Sequence, residues 1–306
     1  MFVICGEALI DLVPSPEGGT YNARAGGSPA NVAVGLGRLG TQVSLIARLA
    51  DDPFGRLLRA HLSDSDVDLT MAIPAAQPST LGVVSLDARG NAEYAFYIDG
   101  AADGGWQVAD LPADLPDGAT MHVSGSLALS VPSMGDALEA LLRREQGRRV
   151  LAFDPNVRPI LARDEAALRA RLDRWLGLVD IVKVSSDDLR WIAPEEAVED
   201  LAATWRGLGP TLVVVTRGDQ GVYALGPAGP VNLPAAPVEV VDTVGAGDAF
   251  MSGLLTALDG GGHLSRSYLT ELRTAGLTAA LDFAQRVAAV TCQRVGADPP
   301  WRSELG

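Results

Sequence analysis

Between Val241 and Leu258 the chain reads VDTVGAGDAFMSGLLTAL. Gly245, Ala246 and Gly247 carry nothing larger than a methyl group, so their backbone N–H groups can turn together toward a negatively charged ligand. The residues that follow have helical spacing, with Phe250, Leu254 and Leu258 on one stripe and Met251 and Leu255 beside it. A helix opening at the glycines adds its own unpaired N–H groups, which makes the segment a cradle for phosphate. Asp248 stands one residue further on. A carboxylate there repels phosphate, so its chemical use is to take a proton from a hydroxyl that attacks phosphorus. Its structural use is to sit in the first helical turn, where the macrodipole favours negative charge. The segment alone leaves both open.

Other polar groups recur at the ends of apolar runs. Residues 2–13 read as a core strand with Gly6 inside it, and Asp11 near its end either forms a turn or accepts hydrogen bonds from two hydroxyls. GGSPANVAVGLGRLG (26–40) opens a helix that Ser28 can cap and Pro29 can start, with Val32, Leu36 and Leu39 as the buried stripe. Gly26 and Gly27 permit close approach to a small ligand, and Asn31 offers a donor and an acceptor. Gly35, Gly37 and Gly40 spell GxGxxG, but a helix precedes them and a strand-like run follows, the reverse of the dinucleotide-binding order. They read as close helix packing with Gly40 at the C-terminal end. FDPNVRP (153–159) presents Asp154, Asn156 and Arg158 from a Pro-bounded turn, while KVSSDDL (183–189) and TRGDQG (216–221) each occupy the end of an apolar strand.

These groups need a scaffold. The strand-like runs Thr120–Ser124, Arg149–Asp154, Ile181–Val184 and Thr211–Thr216 alternate with helical runs, which predicts a mostly parallel sheet with helices on both faces and ligands beyond the strands' C-terminal ends. Leu81–Leu86 and Ala92–Ile98 alternate at period two around residues 87–91, a hairpin pattern. With residues 12–26 this hairpin makes a small inserted sheet, suited to cover a site or to bury the surface of a second copy. The expected division is a core of residues 1–11, 27–72 and 104–306 with a β lid of 12–26 and 73–103. A last helix is expected over 284–295, ending at Gly296.

Composition narrows the function. The chain has 306 residues, 47% of them hydrophobic, enough for a large core and, by length, roughly two domains. A net charge of −14 with one lysine, Lys183, argues against binding nucleic acid. The opening MFVICGEALI is interrupted by Glu7 and lacks a basic flank, so it is read as neither a signal peptide nor a membrane span, and the protein is placed in the cytoplasm. Cys5 and Cys292 read as separate thiols, the scattered histidines show no zinc spacing, and the absence of GxxxxGK[ST] excludes a P-loop kinase.

DTVGAGDAF resembles the C-terminal signature of the ribokinase-like (PfkB) carbohydrate kinases, and GGSPANVAVGLGRLG resembles the family's first signature. The resemblance extends over nearly the whole chain and implies a three-layer α/β/α core with a small β lid. It also implies an ATP-dependent sugar kinase using Mg²⁺ and, in some members, K⁺. By that resemblance Asp248 is the catalytic base and Gly245–Gly247 the anion hole. Asp11, Gly26, Gly27 and Asn31 face the sugar, and Arg158 binds substrate near the transferred phosphoryl or the sugar. Thr216, Gly218 and Gly221 form the nucleotide turn, and Ala288 and Thr291 wall the adenine. Asp242, expected at the end of a strand, would lie near the monovalent cation. Ser185 and Asp188 stand where the family has Asn and Glu in an NxxE element that organises Mg²⁺ through waters. GEALIDLVP, GSLAL and DPNVRP look most like the fructokinase branch. The alternatives are a 2-keto-3-deoxygluconate kinase, to which Arg24, Tyr97 and Arg158 would contribute, another sugar or nucleoside kinase, or a non-catalytic sugar-sensing or partner-binding homologue. Pairing of two copies through the lid is also compatible.

Overall fold

The computed structural model describes residues 1–15, 17–86 and 92–306. In chain order the strands are β1 (Phe2–Cys5), β2 (Leu9–Pro14), β3 (Tyr21–Gly26), β4 (Val43–Ile46), β5 (Arg48–Ala50), β6 (Val67–Asp68), β7 (Ile73–Ala75), β8 (Leu81–Leu86), β9 (Ala92–Tyr97), β10 (Thr120–Ser124), β11 (Leu151–Asp154), β12 (Ile181–Ser185), β13 (Leu212–Thr216), β14 (Val222–Gly226) and β15 (Gly229–Leu233). The α-helices are α1 (Ser28–Arg38), α2 (Pro53–Ser63), α3 (Ser126–Ser130), α4 (Pro132–Glu145), α5 (Glu165–Leu176), α6 (Ser186–Ile192), α7 (Val198–Leu208), α8 (Ala246–Gly260), α9 (Arg266–Thr270) and α10 (Thr274–Cys292).

Among the described residues, nine strands form one sheet in the order β15-β14-β13-β12-β11-β10-β1-β4-β6. The pairings from β13 through to β6 are parallel, and β14 and β15 add antiparallel strands at one edge. Because successive strand residues face opposite sides, each strand supplies both layers. Val3 and Cys5 join one core with Leu138 and Leu141 of α4 and Trp175 of α5, whereas Phe2 and Ile4 join the other with Leu36 of α1 and Leu254 of α8. The expected three-layer α/β/α arrangement is therefore what forms. Strand order reverses about β1, with β10 on one side and β4 on the other, and such a switch point opens a crevice at the C-terminal strand ends.

The lid sheet has the order β3-β2-β8-β9. The run 2–13 does not form one strand: Gly6 has φ 148, and the chain leaves the main sheet there before re-entering the lid as β2. The lid thus begins at Leu9, not at residue 12, and Asp11 belongs to it. Its second expected part is also narrower than 73–103, since β7 pairs with β5 in a separate two-stranded sheet. The β8–β9 pairing forms as expected, while its turn at 87–91 lies outside the described residues. Tyr21 and Tyr97 project from the lid into solvent.

The GxGxxG segment is helix packing. A Cβ on Gly35 would come within 2.3 Å of Ser252 Oγ, and one on Gly37 within 2.0 Å of the Ser65 carbonyl oxygen. Gly40 follows the helix with φ 79. Alanine is the better helix former by about 1 kcal/mol, but at Gly37 it meets backbone that cannot swing away. Gly37→Ala is expected to destabilise the fold by about 1–3 kcal/mol, the cost of overpacking; an unchanged denaturation midpoint would contradict this packing.

Candidate active site

A cleft of about 580 Å³ lies at the C-terminal ends of the central strands. Each strand delivers polar groups as it ends: Glu7 after β1, Ser126 after β10, Asp154 and Asn156 at β11, Ser185 and Asp188 at β12, Thr216 and Gly218 at β13. Asp11, Tyr94 and Phe96 reach in from the lid, and Gly27, Ser28 and Asn31 from the start of α1. Gly245, Gly247 and Asp248 complete the wall. Residues separated by more than two hundred positions in sequence thus share one site.

Gly245 precedes α8 in the left-handed conformation, φ 76, where a Cβ would also lie 2.5 Å from that of Ala297. Only glycine fits both conditions. Gly247 faces Lys183: a Cβ there would stand 2.9 Å from the ammonium nitrogen. Ala246 does not line the cleft and donates its N–H to the Thr243 carbonyl at 3.2 Å. Of the three residues expected to form an anion cradle, only the two glycines line the cleft, with the buried Lys183 ammonium beside Gly247.

Asp248 is buried at the head of α8. Ser28 Oγ donates to Oδ1 at 2.6 Å and Asn31 Nδ2 donates to Oδ2 at 2.9 Å. Ser28 does not cap α1, as the sequence suggested; its hydroxyl is turned to Asp248 and accepts from Ser124 Oγ at 2.8 Å. Burial raises the Asp248 carboxyl above its ordinary range, opposed by the two hydrogen bonds and by the Lys183 charge. A carboxylate oriented by neutral donors and less stable as an anion than in water suits proton transfer.

Lys183, read from the sequence only as the chain's sole lysine, lines the cleft, a placement the motifs did not indicate. Its ammonium pairs with Asp154 at 2.8 Å, both groups being buried. Burial lowers its proton affinity, but the charge and hydrogen bond of Asp154, with the charges of Asp248 and Asp188, together hold it above the usual value. The available signal was a lone lysine inside an otherwise apolar strand. Asn156 beside it has φ 40, a conformation Asn tolerates, and its N–H donates to Asp154 Oδ1 at 3.1 Å.

Asp11 projects from β2 of the lid into the cleft, where burial raises it to about 6 while Arg158 pulls the other way. Gly26 is outside the cleft lining; a Cβ there would strike Asp11 Oδ2 at 2.3 Å, so it makes room for that carboxylate. Gly27 lines the cleft with φ 101, against the Glu7 carbonyl oxygen. Arg158 is exposed at the cleft mouth.

Asp188 is largely engaged in structure. Its Oδ1 accepts from the Val157 N–H at 3.0 Å and its Oδ2 from Ser185 Oγ at 2.8 Å, while Ser185 in turn caps α6. Burial, then the Asp154 charge, raise its carboxyl. Asp242 is not at a strand end, since the chain from Pro234 to Val244 is irregular. Its two oxygens accept from the N–H groups of Val244 and Gly296, at 3.0 and 2.8 Å, and so tie the glycine turn to the segment after α10. Gly221, φ 84, lies outside the cleft lining, packed against the Leu233 carbonyl. The last helix begins at Thr274 and ends at Cys292, short of Gly296; within it Ala288 is partly buried, and Thr291 is fully buried with its hydroxyl on the Val287 carbonyl. Neither lines the cleft.

The donor set admits ATP and Mg²⁺. The glycine turn has space a side chain would fill, and Lys183 offsets negative charge next to it. Asp154 and Asp188 add hard oxygen donors, but among the described residues no three His, Cys, Asp or Glu side chains gather into a metal cluster. That suits an ion that arrives on the nucleotide and keeps its waters.

The pfkB family carbohydrate kinase model matches residues 1–304. The chain is 40% identical over 262 residues to a fructokinase of Rhizobium leguminosarum bv. trifolii, covering 84% of this chain and 79% of that protein. A solved structure of fructokinase from Vibrio cholerae O395, in its fructose-, ADP- and calcium-bound form, is similar with a TM-score of 0.84 at 29% identity, covering 97% of this chain and 94% of that one. Fructokinase with bound ATP from Xylella fastidiosa is similar with a TM-score of 0.90 at 27% identity, covering 99% and 96%. With the match running from the first strand to the C-terminal turn, the chain belongs to the pfkB family of carbohydrate kinases.

Proposed function

We propose that this carbohydrate kinase transfers the γ-phosphoryl group of ATP to a hydroxyl of fructose, with Asp248 as general base and the glycine turn of Gly245–Gly247 as anion hole. The observation that carries it is the placement of Asp248: buried, hydrogen-bonded by Ser28 and Asn31, and flanked by the Gly245 turn. Asp11, Gly27 and Asn31 hold the sugar so that its hydroxyl hydrogen meets Asp248. Asp248 takes that proton as oxygen bonds to phosphorus, while the N–H groups of Gly245 and Gly247 and the Lys183 ammonium stabilise the charge on the phosphoryl oxygens. Thr216 and Gly218 receive the nucleotide. Mg²⁺ when bound neutralises phosphate charge, and Asp154 and Asp188 are the residues that would hold it through waters. Asp242 clamps the glycine turn, where its charge would also favour a nearby K⁺. Similarity to fructokinases supports the sugar class, and so does Asp11, a carboxylate suited to two hydroxyls.

A second reading, phosphorylation of 2-keto-3-deoxygluconate, is favoured by Arg158 at the cleft mouth, a cation within reach of a sugar acid. Asp11→Ala separates the two. For fructose the variant is expected to lose roughly 1.5–3 kcal/mol of binding, the range for hydrogen bonds to a charged group, with ATP affinity unchanged. For the sugar acid, removing a negative charge leaves binding unchanged or improves it. Parallel calorimetric titrations with both sugars decide; tight wild-type binding of the acid with none of fructose would replace the fructose reading.

A further inference from the structure

Glu7 is a fully buried polar residue of the cleft that the mechanism above does not use. It follows β1 at the strand-order switch, is fully buried, and lines the cleft with Asp11, Gly27 and Ser126. Neither carboxyl oxygen has a hydrogen-bond partner within the protein. An unpartnered buried carboxyl costs on the order of 1–3 kcal/mol or more, and a group left so in a ligand cleft is completed by the ligand.

We propose that Glu7 is a sugar-contacting, specificity-determining residue, whose carboxyl group donates one hydrogen bond to a hydroxyl of the bound sugar and accepts another from a neighbouring hydroxyl. This rests on the sugar-kinase reading above. The surroundings favour the neutral acid. Burial pushes Glu7 up to about 7; its own backbone N–H, the Ser126 hydroxyl of α3 and the Arg158 charge after β11 oppose that, and Asp248 of α8 adds to it. In the segment 102–105, Asp103 is a second fully buried carboxyl, pushed up to about 8 by burial and, less, by the charge of Glu7, against the Thr80 hydroxyl, the Trp106 indole and the Arg48 charge. A charge on either carboxyl disfavours a charge on the other. A neutral acid supplies both a donor and an acceptor, whereas Asp11, as an anion, only accepts. The two residues would therefore read different hydroxyls, and a ligand presenting an anionic group or an apolar carbon toward Glu7 would leave it unmatched.

The test is the KM for fructose at saturating ATP, measured from about pH 6 to pH 9 in wild type, Glu7→Gln and Glu7→Leu. In wild type the KM rises above about pH 7 as Glu7 ionises, toward tenfold per unit once the neutral form is scarce. Glu7→Gln, which keeps a donor and an acceptor, stays within about threefold of wild type at neutral pH and loses that rise. The rise below about pH 6 that Asp11 produces on protonation remains. Glu7→Leu raises the fructose KM about tenfold or more, with kcat less affected and the KM for ATP unchanged. If Glu7→Leu does not fold, the pH profile of Glu7→Gln decides. A wild-type KM flat above about pH 7, the same rise retained in Glu7→Gln, or a folded Glu7→Leu with wild-type KM each overturns the proposal. If wild type phosphorylates 2-keto-3-deoxygluconate and not fructose, the fructose reading fails, and the same variants measured with that acid still decide the place of Glu7.

Discussion

Asp248→Asn is expected to lower kcat by at least about 10²-fold, and up to about 10⁴-fold, the range for loss of a general base. The fold and ATP affinity should be retained. Asparagine has the size of aspartate, and its amide oxygen can still accept from Ser28 Oγ, which donates to Asp248 at 2.6 Å. What it cannot do is take a proton. The wild-type pH profile carries the same signature. Burial raises the Asp248 carboxyl, and a base works only when ionised, so kcat should fall on acidification at a pH above the ordinary carboxylate range of about 4. Activity lost below that point is activity lost to protonation, and the residual turnover of Asp248→Asn should lack this limb. Coupled ADP release under saturating substrates measures both. Near-normal turnover in a variant with a wild-type melting curve would remove Asp248 from the role of base.

Gly247→Val is expected to lower kcat by about 10²- to 10³-fold, comparable to losing an anion-hole donor, while changing sugar affinity little. The added side chain points at Lys183, whose nitrogen would lie 2.9 Å from its Cβ, and Lys183 cannot retreat without breaking a buried 2.8 Å pair with Asp154. Valine is also stiff at its first side-chain bond, so it has few ways to avoid the contact. Asp11, Gly27 and Asn31, the proposed sugar contacts, belong to other elements. Sugar titration alongside turnover therefore reads the geometry: lost sugar binding with preserved turnover would show that the turn serves the sugar and not the phosphate.

The layers were legible because a strand buried on both faces is written as a continuous apolar run, and Thr211–Thr216 and Ile181–Val184 are such runs. The glycine turn was legible because Gly245 satisfies a local backbone need, φ 76, that only glycine meets cheaply. Misreadings arose where a local signal competed with a distant partner. Ser28 has the type and place of a helix cap, yet its hydroxyl serves Asp248, 220 residues away, and no spacing rule carries that distance. Residues 2–13 looked like one strand because apolar patterning does not register a change of sheet, and Gly6 was the only mark of it. Lys183 and Glu7 were hidden for a related reason. Each is one charge in an apolar run, and its meaning depends on which side chains the fold brings opposite.

The most direct test is to incubate the purified chain with ATP, Mg²⁺ and a panel of fructose, glucose, ribose, adenosine and 2-keto-3-deoxygluconate, following ADP release and the mass of the sugar product. Fructose should give stoichiometric ADP and a sugar monophosphate, with the highest kcat/KM of the panel and with Asp248→Asn nearly silent. Release of ADP with none of these sugars above the no-sugar background, from protein shown to bind ATP, would contradict catalysis itself.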